Sequence, residues 1–241
     1  MTRQESPRNP CFADVESGST ERSNSSLRYE PTRLMADDEY DRNWVLLDWV
    51  GSGKRVLEVG CSTGYISRLM ADRNCVVTGI EMDVGAAKLA RNYCAEVHVL
   101  DLNQREWIKM LPEGAFDVIV LGDVLEHLLD PPSVLRQIGE LLDVDGSLVI
   151  SLPNVVHWIT RLKILLGRFD YEPTGTLDHT HVRFFTVKTA KKLIEDSGFR
   201  ILRFHPAIGG RMTGHIRPVW QYLALLAPGL FGFQLMYLAK K

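Results

Sequence analysis

The stretch that decides the fold of this chain is Arg55-Val56-Leu57-Glu58-Val59-Gly60-Cys61-Ser62-Thr63-Gly64-Tyr65. Its apolar first half is typical of a short strand buried in a parallel sheet that is covered on both faces. A turn through Gly60 and Gly64 then leads into a predicted helix on which Ile66, Leu69 and Met70 share one face, with Thr63 as its candidate N-cap. This order predicts free backbone N–H groups and a positive helix end at the carboxyl edge of the sheet, where open α/β sheets bind their ligands.

The glycine spacing argues against a dinucleotide cofactor. A dinucleotide-binding turn has the pattern G-x-G-x-x-G. This turn reads Gly60-Cys61-Ser62-Thr63-Gly64, with Ser62 in the place of a middle glycine. A nicotinamide- or flavin-dependent oxidoreductase is therefore a disfavoured interpretation.

Strand and helix patterns alternate along the rest of the chain. Further apolar strands are predicted at 75–80, 96–100, 116–121, 147–152, 199–205 and 231–239. Helical patterns lie before and between them, including 36–49, 132–142, 155–167 and 186–197. The alternation predicts an α/β fold with a doubly wound, mostly parallel sheet. The last strand follows its neighbour without a covering crossover, which indicates an antiparallel hairpin at the sheet edge.

Composition is that of a globular protein and gives no sign of nucleic-acid binding. The chain has 241 residues, of which 45% are hydrophobic and 24% charged, and its formal net charge is -2. No Lys/Arg block suggests contact with nucleic acid, and the four cysteines show no zinc spacing. The N-terminus lacks the apolar core of a signal peptide, so a cytoplasmic location is expected. We predict a disordered tail over 1–26 and a single domain over 27–241.

The apolar segment from Val219 to Leu238 has the length of a membrane span. Pro228-Gly229 and Gly232 interrupt it, so a helix to about 227, a turn and a strand are the better interpretation. Peripheral attachment to a membrane stays open.

Glu81 is the second residue that suggests a ligand site. It follows the predicted second strand about twenty residues after the glycine turn, where a nucleoside site in an α/β sheet places its ribose-binding carboxylate. A carboxylate accepts hydrogen bonds from both ribose hydroxyls. The register with the glycine turn favours this role over that of a solvated or helix-capping glutamate.

The pattern Glu58-x-Gly60-x-Ser62-x-Gly64 resembles the first motif of class I S-adenosylmethionine (SAM) dependent methyltransferases, in which an acidic residue precedes three alternate glycines. The resemblance covers roughly residues 40–240. It implies a Rossmann-like, seven-stranded sheet with an antiparallel C-terminal edge hairpin. It also implies SAM as the cofactor and S-adenosylhomocysteine (SAH) as the product. A sulfonium ligand with an ammonium group explains an acidic residue at this turn, because it has no phosphates to bind.

The same resemblance assigns the expected cofactor residues. In the family, an acidic residue after the third strand contacts the adenine amino group and its apolar neighbour lines the ring, which assigns Asp101 and Leu102. The full set of expected cofactor-binding residues is Glu58, Gly60, Cys61, Ser62, Gly64, Glu81, Met82, Asp101, Leu102 and Asp123.

Segments 123–127 and 152–158 resemble a branch of small bacterial methyltransferases. That branch includes quinone-biosynthesis O-methyltransferases, a methionine-biosynthesis protein and relatives linked to polysaccharide assembly; segments 167–171 and 177–186 most resemble the last group. The leading interpretation is methylation of a hydroxyl on a small or lipid-linked acceptor, such as a sugar of a surface-polysaccharide precursor. A quinone or other aromatic O-methyltransferase is the alternative, and a SAM-binding accessory subunit without its own turnover is another.

Methyl transfer to a hydroxyl requires alignment of the reacting groups and a base. His127 follows the fourth strand and is the first candidate base, with Glu126 beside it to orient it. His181, in a predicted lid and acceptor segment at 153–185, is the second candidate. Asp123, Glu126 and the histidines are also an oxygen and nitrogen ligand set, and some relatives with a similar run bind a divalent ion. A metal is not favoured here, and a purely structural role for these residues stays open.

Overall fold

The computed structural model describes residues 41–104, 106–209 and 216–241. The predicted disordered tail and the first five residues of the predicted helix over 36–49 lie outside these ranges. The described part of that helix begins at Arg42, because the Asp41 side chain accepts a hydrogen bond from the Asn43 amide and caps the helix.

A seven-stranded sheet has the order β3-β2-β1-β4-β5-β7-β6. The strands are β1 (Arg55–Val59), β2 (Val76–Glu81), β3 (Glu96–Val99), β4 (Phe116–Gly122), β5 (Leu142–Pro153), β6 (Arg200–Ala207) and β7 (Gln234–Lys240). Pairs among β1 to β5 are parallel, whereas β5 with β7 and β7 with β6 are antiparallel. The predicted doubly wound sheet with an antiparallel C-terminal edge is therefore confirmed.

Helices cover both faces of the sheet. They are α1 (Arg42–Val50), α2 (Tyr65–Ala71), α3 (Val84–Ala90), α4 (Pro131–Leu141), α5 (Trp158–Leu165), α6 (Val187–Asp196), α7 (Arg217–Leu226) and α8 (Pro228–Phe231). The buried faces of α1, α2 and α3 pack with Val56, while those of α4 and α6 pack in the cluster that contains Leu57. Successive strand residues point to opposite faces, so a continuous apolar run such as β1 is buried on both sides.

Two local predictions are wrong. Thr63 is not the N-cap of α2, because Gly64 occupies that position in the left-handed conformation and makes no side-chain cap. At the C-terminus, Pro228-Gly229 begins the short helix α8 instead of a simple turn, so β7 starts three residues later than expected.

Within the described ranges, no helix has both the length and the apolar character needed to cross a bilayer.

Candidate active site

The glycine turn after β1 is shaped by left-handed backbone conformations. Gly60, Ser62 and Gly64 have φ of +70°, +50° and +83°, a region in which glycine carries no steric penalty. A Cβ atom on Gly60 would lie 2.8 Å from the Val124 side chain. The turn therefore brings the backbone close to the segment that follows β4.

Four backbone amides of this turn donate hydrogen bonds within the protein. Gly60 and Cys61 both donate to the Ile80 carbonyl, at 2.8 and 3.0 Å, and Gly64 donates to the Cys61 carbonyl. The Ser62 amide donates to the Glu81 carboxylate at 2.8 Å. The expectation of free N–H groups is thus wrong for these four residues, whose amides are not available to an anion.

Glu81 joins the turn to the end of β2. One of its carboxylate oxygens accepts the Ser62 amide, and the other accepts the Asp83 amide at 2.9 Å. Each carboxylate oxygen has a second lone pair, so Glu81 can still accept hydroxyl donors. The carboxylate is thereby fixed in position at the carboxyl edge of the sheet.

The other strand-end residues lie along the same edge. Asp101 follows β3, and its carboxylate accepts hydrogen bonds from the backbone and side-chain nitrogens of Asn103. Leu102 is 9% exposed and Met82 is 71% exposed. The Cys61 thiol is buried in the core against Gly79. Any contact between Cys61 and a ligand would therefore use its backbone.

A cavity opens beside the glycine turn, between α1 and the ends of β1 and β4. It is lined by Arg42, Asn43, Leu46, Glu58, Val59, Gly60, Tyr65, Ile66, Val120, Gly122, Asp123, Ser151 and Met236. Three of the predicted cofactor residues, Glu58, Gly60 and Asp123, line it together. Two carboxyl groups and one guanidinium group in a small space give the cavity the charge pattern that a zwitterion needs.

Asp123 is held in the cavity by donors from three directions. Its left-handed backbone (φ +58°) is unusual for a residue other than glycine. Ser151 donates to its carboxylate at 3.1 Å, and Gln234 and Arg42 donate to it as well. The strained backbone is thus stabilised by hydrogen bonds from β5, β7 and α1.

Glu58 is buried on the floor of this cavity. Burial raises the pKa of Glu58 to about 8, although a hydrogen bond donated by the Ser67 hydroxyl opposes the shift. Cys94 in turn donates to Ser67 at 3.1 Å. A carboxyl group with a raised pKa is stabilised by a cation, so Glu58 is suited to an incoming ammonium group.

Glu126, His127 and His181 form a cluster just beyond the end of β4. The imidazole rings of the two histidines meet edge to face, with centroids 4.8 Å apart. His181 Nε2 lies 3.9 Å from Glu126 Oε1, too far for a hydrogen bond. Neither carboxyl oxygen of buried Glu126 is hydrogen-bonded to another described residue. The three predicted catalytic side chains are therefore brought together.

The protonation of this cluster follows from its surroundings. Burial raises the pKa of Glu126 well above its ordinary value, and the nearby charge of Asp123 adds to the shift. Burial lowers the pKa of His181, with a contribution from His127. Burial thus favours the uncharged acid form of Glu126 and the uncharged imidazole form of His181.

Carbonyl contacts fix the tautomers of both histidines. His127 Nδ1 lies 3.2 Å from the Thr180 carbonyl, and His181 Nδ1 lies 3.2 Å from the Thr176 carbonyl. A carbonyl oxygen only accepts, so each Nδ1 must carry the hydrogen. The Nε2 lone pair of each ring is then left as a proton acceptor. His127 is the less buried of the two, so its Nε2 is the more accessible base.

The predicted lid segment is tied to this cluster. The Val182 and Arg183 amides donate to the Glu126 carbonyl at 2.9 and 3.0 Å. A row of aromatic rings then leads outward from His181 to Phe184, Phe169 and Tyr171, with successive centroids 6.3, 5.9 and 5.9 Å apart. Phe169 and Tyr171 are exposed. The histidine cluster is therefore bordered by an aromatic wall that reaches solvent.

The same cluster has the donor set of a cation site. One ligand atom from each of Glu126, His127 and His181 lies within 4.8 Å of the others. Binding an ion there would require Glu126 to ionise, against the effect of its burial. The arrangement can thus serve either as an acid–base group or as a metal site.

Sequence reasoning missed three residues that line the cavity, Arg42, Tyr65 and Ser151, and it missed Gln234, which donates to Asp123. Ser151 and Gln234 reach Asp123 only because β5 and β7 pair in antiparallel register, with Ser151 opposite Met236 and Gln234 two residues beyond. Tyr65 directly follows the glycine turn, so its position was a usable signal. No local pattern marked Arg42.

Comparison with known proteins agrees with this geometry. A family model described as a methyltransferase domain matches residues 29–203. The ubiquinone biosynthesis O-methyltransferase of Coxiella burnetii (strain RSA 331 / Henzerling II) is 31% identical over 165 residues, which span 64% of this chain and 69% of that protein. The protein of the same name from Aeromonas salmonicida (strain A449) is 32% identical over 171 residues, or 66% and 71% of the two chains.

Solved structures show the same fold. A SAM dependent methyltransferase from Archaeoglobus fulgidus covers 84% of this chain and 92% of its own, with a TM-score of 0.61 at 19% identity. The 1,6-didemethyltoxoflavin-N1-methyltransferase of Burkholderia thailandensis, with bound substrate and S-adenosylhomocysteine, gives a TM-score of 0.55 at 17% identity, over 86% and 80%. The family match over most of the chain, the two sequence relatives and the shared fold agree, and the chain belongs to the class I SAM-dependent methyltransferases.

Proposed function

We propose that this protein transfers the methyl group of SAM to a hydroxyl oxygen on an aromatic ring, in a small or lipid-linked acceptor of the quinone-precursor type. Two observations support an aromatic acceptor. The sequence relatives described above are named as ubiquinone biosynthesis O-methyltransferases, and the histidine cluster is bordered by a row of aromatic rings. The sugar of a surface-polysaccharide precursor, the leading interpretation from the sequence, has less support from these findings.

The residues of the cavity and the strand ends fit the parts of SAM. Its amino-acid portion is a zwitterion, for which Glu58 would receive the ammonium group and Arg42 the carboxylate. Glu81 would accept the ribose hydroxyls, while Asp101 and Leu102 would contact the adenine. Bound SAM supplies a sulfonium methyl group for in-line displacement. The protein's part is to align the acceptor oxygen with that methyl and to exclude water.

One observation carries the proposed chemistry: the His127 Nδ1 contact with the Thr180 carbonyl leaves Nε2 free to accept a proton. Methyl transfer to a hydroxyl releases that proton, and a positioned imidazole is suited to take it near neutral pH. The buried Glu126 and His181, which lie beside His127, would hold its ring in place. His127 is thus the proposed general base, and the other two are positioning residues.

The aromatic wall supplies the acceptor contacts in this proposal. Phe184 and Phe169 would offer ring edges and faces to an aromatic acceptor, since aromatic pairs favour offset or edge-to-face contact. Tyr171, at the outer end of the row, would meet a substituent that extends toward solvent.

The test measures SAH formation from SAM with an alkyl-substituted catechol as the acceptor, in the wild type and in His127→Gln. A base of this kind contributes about 10²- to 10⁴-fold, so kcat should fall by that factor. The affinity for SAH, measured by calorimetry, should not change, because His127 is not among the residues placed around the cofactor. His179→Gln is the matched control, since its ring is on the lid segment that contacts His127 but is 55% exposed, and it should keep its activity.

Three results would overturn parts of the proposal. Full activity in His127→Gln would remove the proposed base. If turnover were lost on chelation and restored by a divalent ion, the histidine cluster would be assigned as a metal site. Binding of SAH without turnover of any catechol or sugar acceptor would favour the accessory subunit instead.

A further inference from the structure

Asn103 joins the end of β3 to the segment that follows β4. Its backbone amide and its side-chain nitrogen Nδ2 both donate to Asp101 Oδ1, at 2.9 and 3.1 Å. Its side-chain oxygen Oδ1 accepts the Leu129 amide at 3.0 Å, and Leu129 lies 26 positions further along the chain. The two bonds to Asp101 fix the orientation of Asn103. Its side chain therefore connects two segments that no local turn brings together.

Leu129 is bonded in turn to the predicted lid segment. The Leu129 carbonyl accepts a hydrogen bond from the Arg183 guanidinium at 2.7 Å. The Arg183 amide donates to the Glu126 carbonyl at 3.0 Å. The lid segment is thus attached at two points to residues 126–129, which include the proposed base His127. The hydrogen bonds that lead from Asp101 through Asn103 and Leu129 to the Arg183 side chain are here called the Asn103 network.

The Asn103 network connects the two halves of the site. At one end, both bonds from Asn103 are made to Oδ1 of Asp101, and Oδ2 can accept the amino group of adenine. At the other end, Arg183 follows Thr180 by three residues, and the Thr180 carbonyl holds the His127 ring. A continuous set of hydrogen bonds therefore leads from the expected adenine position to the histidine cluster.

The members of the network are exposed to water. Leu129 is 64% exposed, and Asn103 and Arg183 are also exposed. Hydrogen bonds at such positions open at a low cost in free energy, because few buried contacts resist the opening. A ligand that binds the closed form more tightly than the open form shifts this equilibrium toward the closed form. Binding at Asp101 can therefore be felt at the lid segment.

We propose that Asn103 is a positioning residue that couples cofactor binding to closure of the lid segment over the acceptor. When the network is closed, Asn103 holds the Asp101 carboxylate in one orientation, so adenine binds this form more tightly. Bound cofactor then keeps Leu129 and Arg183 in place, and the lid segment with them. The inference rests on the proposed function, which places adenine at Asp101 and the acceptor beside the lid segment.

The test is hydrogen exchange of the full chain, followed by mass spectrometry, without SAH and with SAH at a concentration that saturates each variant. In the wild type, SAH should slow exchange at residues 182 and 183, whose amides donate to the Glu126 carbonyl. We expect at least about fivefold slowing, the lower end of couplings between distinct sites. In Asn103→Ala the slowing should fall below about twofold, while the glycine turn remains protected by SAH.

Gln104→Ala is the matched control for this substitution. Gln104 is the next residue of the same turn and is exposed. Its backbone amide donates to the Asp101 carbonyl at 3.0 Å, and the substitution keeps that amide. Gln104→Ala should therefore show the same slowing at residues 182 and 183 as the wild type.

A second variant interrupts the network at its other end. Arg183→Met removes the guanidinium that donates to the Leu129 carbonyl and keeps the Arg183 backbone amide. It should also reduce the slowing by SAH to below about twofold. The double variant Asn103→Ala, Arg183→Met should lose no more of the slowing than either single variant, because both substitutions interrupt the same set of bonds.

Two results would overturn the inference: equal slowing by SAH in Asn103→Ala and the wild type, or a wild type that binds SAH in calorimetry without any slowing at residues 182 and 183. Both leave the proposed function intact, because SAH affinity and catechol turnover are measured separately. If the slowing depended on Asn103 and no catechol were methylated, the coupling would be supported and the proposed acceptor would be overturned.

Discussion

The cofactor side and the acceptor side of the site are built in different ways. Glu58, Glu81 and Asp101 come from three successive strand–loop units, and each lies near the carboxyl end of a parallel strand at the same edge of the sheet. On the acceptor side, by contrast, His127 contacts the Thr180 carbonyl, and the Glu126 carbonyl accepts the amides of residues 182 and 183, all from a separate segment. Local chain geometry therefore determines the cofactor side, while packing between remote segments determines the acceptor side.

The largest effect should come from the glycine turn itself. Gly64 has φ +83°, and a Cβ atom there would lie 2.9 Å from the Ala90 backbone. Gly64→Ala combines left-handed strain with a backbone clash, so we expect a loss of about 2–4 kcal/mol in the free energy of unfolding, measured in urea. Gly114→Ala is the matched control, because Gly114 is also left-handed (φ +61°) but has nothing within 4 Å of the added atom. It should lose only about 1–2 kcal/mol.

The difference between the unfolding free energies of these two variants measures the cost of the clash between the added Cβ atom and the Ala90 backbone. Equal losses would mean that α3 moves away from the turn at no cost. The cofactor side would then be less rigid than the hydrogen bonds of the glycine-turn amides indicate.

Two ligands can distinguish the residues that bind the amino-acid portion of the cofactor from those that bind its nucleoside. The compound 5′-methylthioadenosine has the nucleoside of SAH without the amino-acid portion. Arg42→Met should weaken SAH about tenfold, the cost of one charged hydrogen-bond partner, and leave methylthioadenosine unchanged. Glu81→Gln should weaken both ligands by at least a similar factor, because the Glu81 carboxylate also holds the Ser62 amide. Calorimetric titration measures all four affinities.

Arg42 would lose its assigned role if its replacement weakened the two ligands equally. That result would indicate that the ion pair between Arg42 and Asp123 supports the fold of the pocket and does not contact the carboxylate.

The sequence was sufficient to predict the strand ends, for a physical reason. Parallel strands that leave the sheet at one edge bring their next residues together, so the positions of Glu58, Glu81, Asp101 and Asp123 followed from the alternation of strands and helices. Gly60 and Gly64 also predicted a turn between β1 and α2. These features depend on short segments whose conformation is set locally.

The remaining features depend on contacts that no local pattern encodes. The amides of Gly60 and Cys61 donate to the Ile80 carbonyl, which becomes a neighbour only when β1 and β2 pair. The tautomer of His127 depends on Thr180, 53 positions further along the chain. The large apolar side chains that α7 exposes lie in a segment with the composition of a buried one. Composition alone does not tell which face of a helix is covered.

The smallest predicted effect, a fraction of one proton, tests whether Glu58 receives the ammonium group. Burial raises the pKa of Glu58 from its ordinary 4.5 to about 8, so near neutral pH the ligand-free protein holds this carboxyl group mainly protonated. An ammonium group beside it favours the ionised form and lowers its pKa. Binding of SAH near pH 7 should therefore release up to about one proton, detected by calorimetry in buffers that differ in ionisation enthalpy.

The direction in which SAH affinity changes with pH follows from the linkage between proton release and binding. For a carboxyl group whose pKa is raised in the ligand-free state and lowered in the complex, affinity increases with pH between the two values and levels off above about 8. Glu58→Gln removes the titrating group and the ammonium partner together, so it should bind SAH more weakly and release no proton. Ser67→Ala is the matched control, because it removes the hydrogen bond to the carboxylate and keeps the acid. Ser67→Ala should therefore shift the pH range of proton release upward. If Glu58→Gln released as many protons as the wild type, the titrating group would be another residue of the cavity.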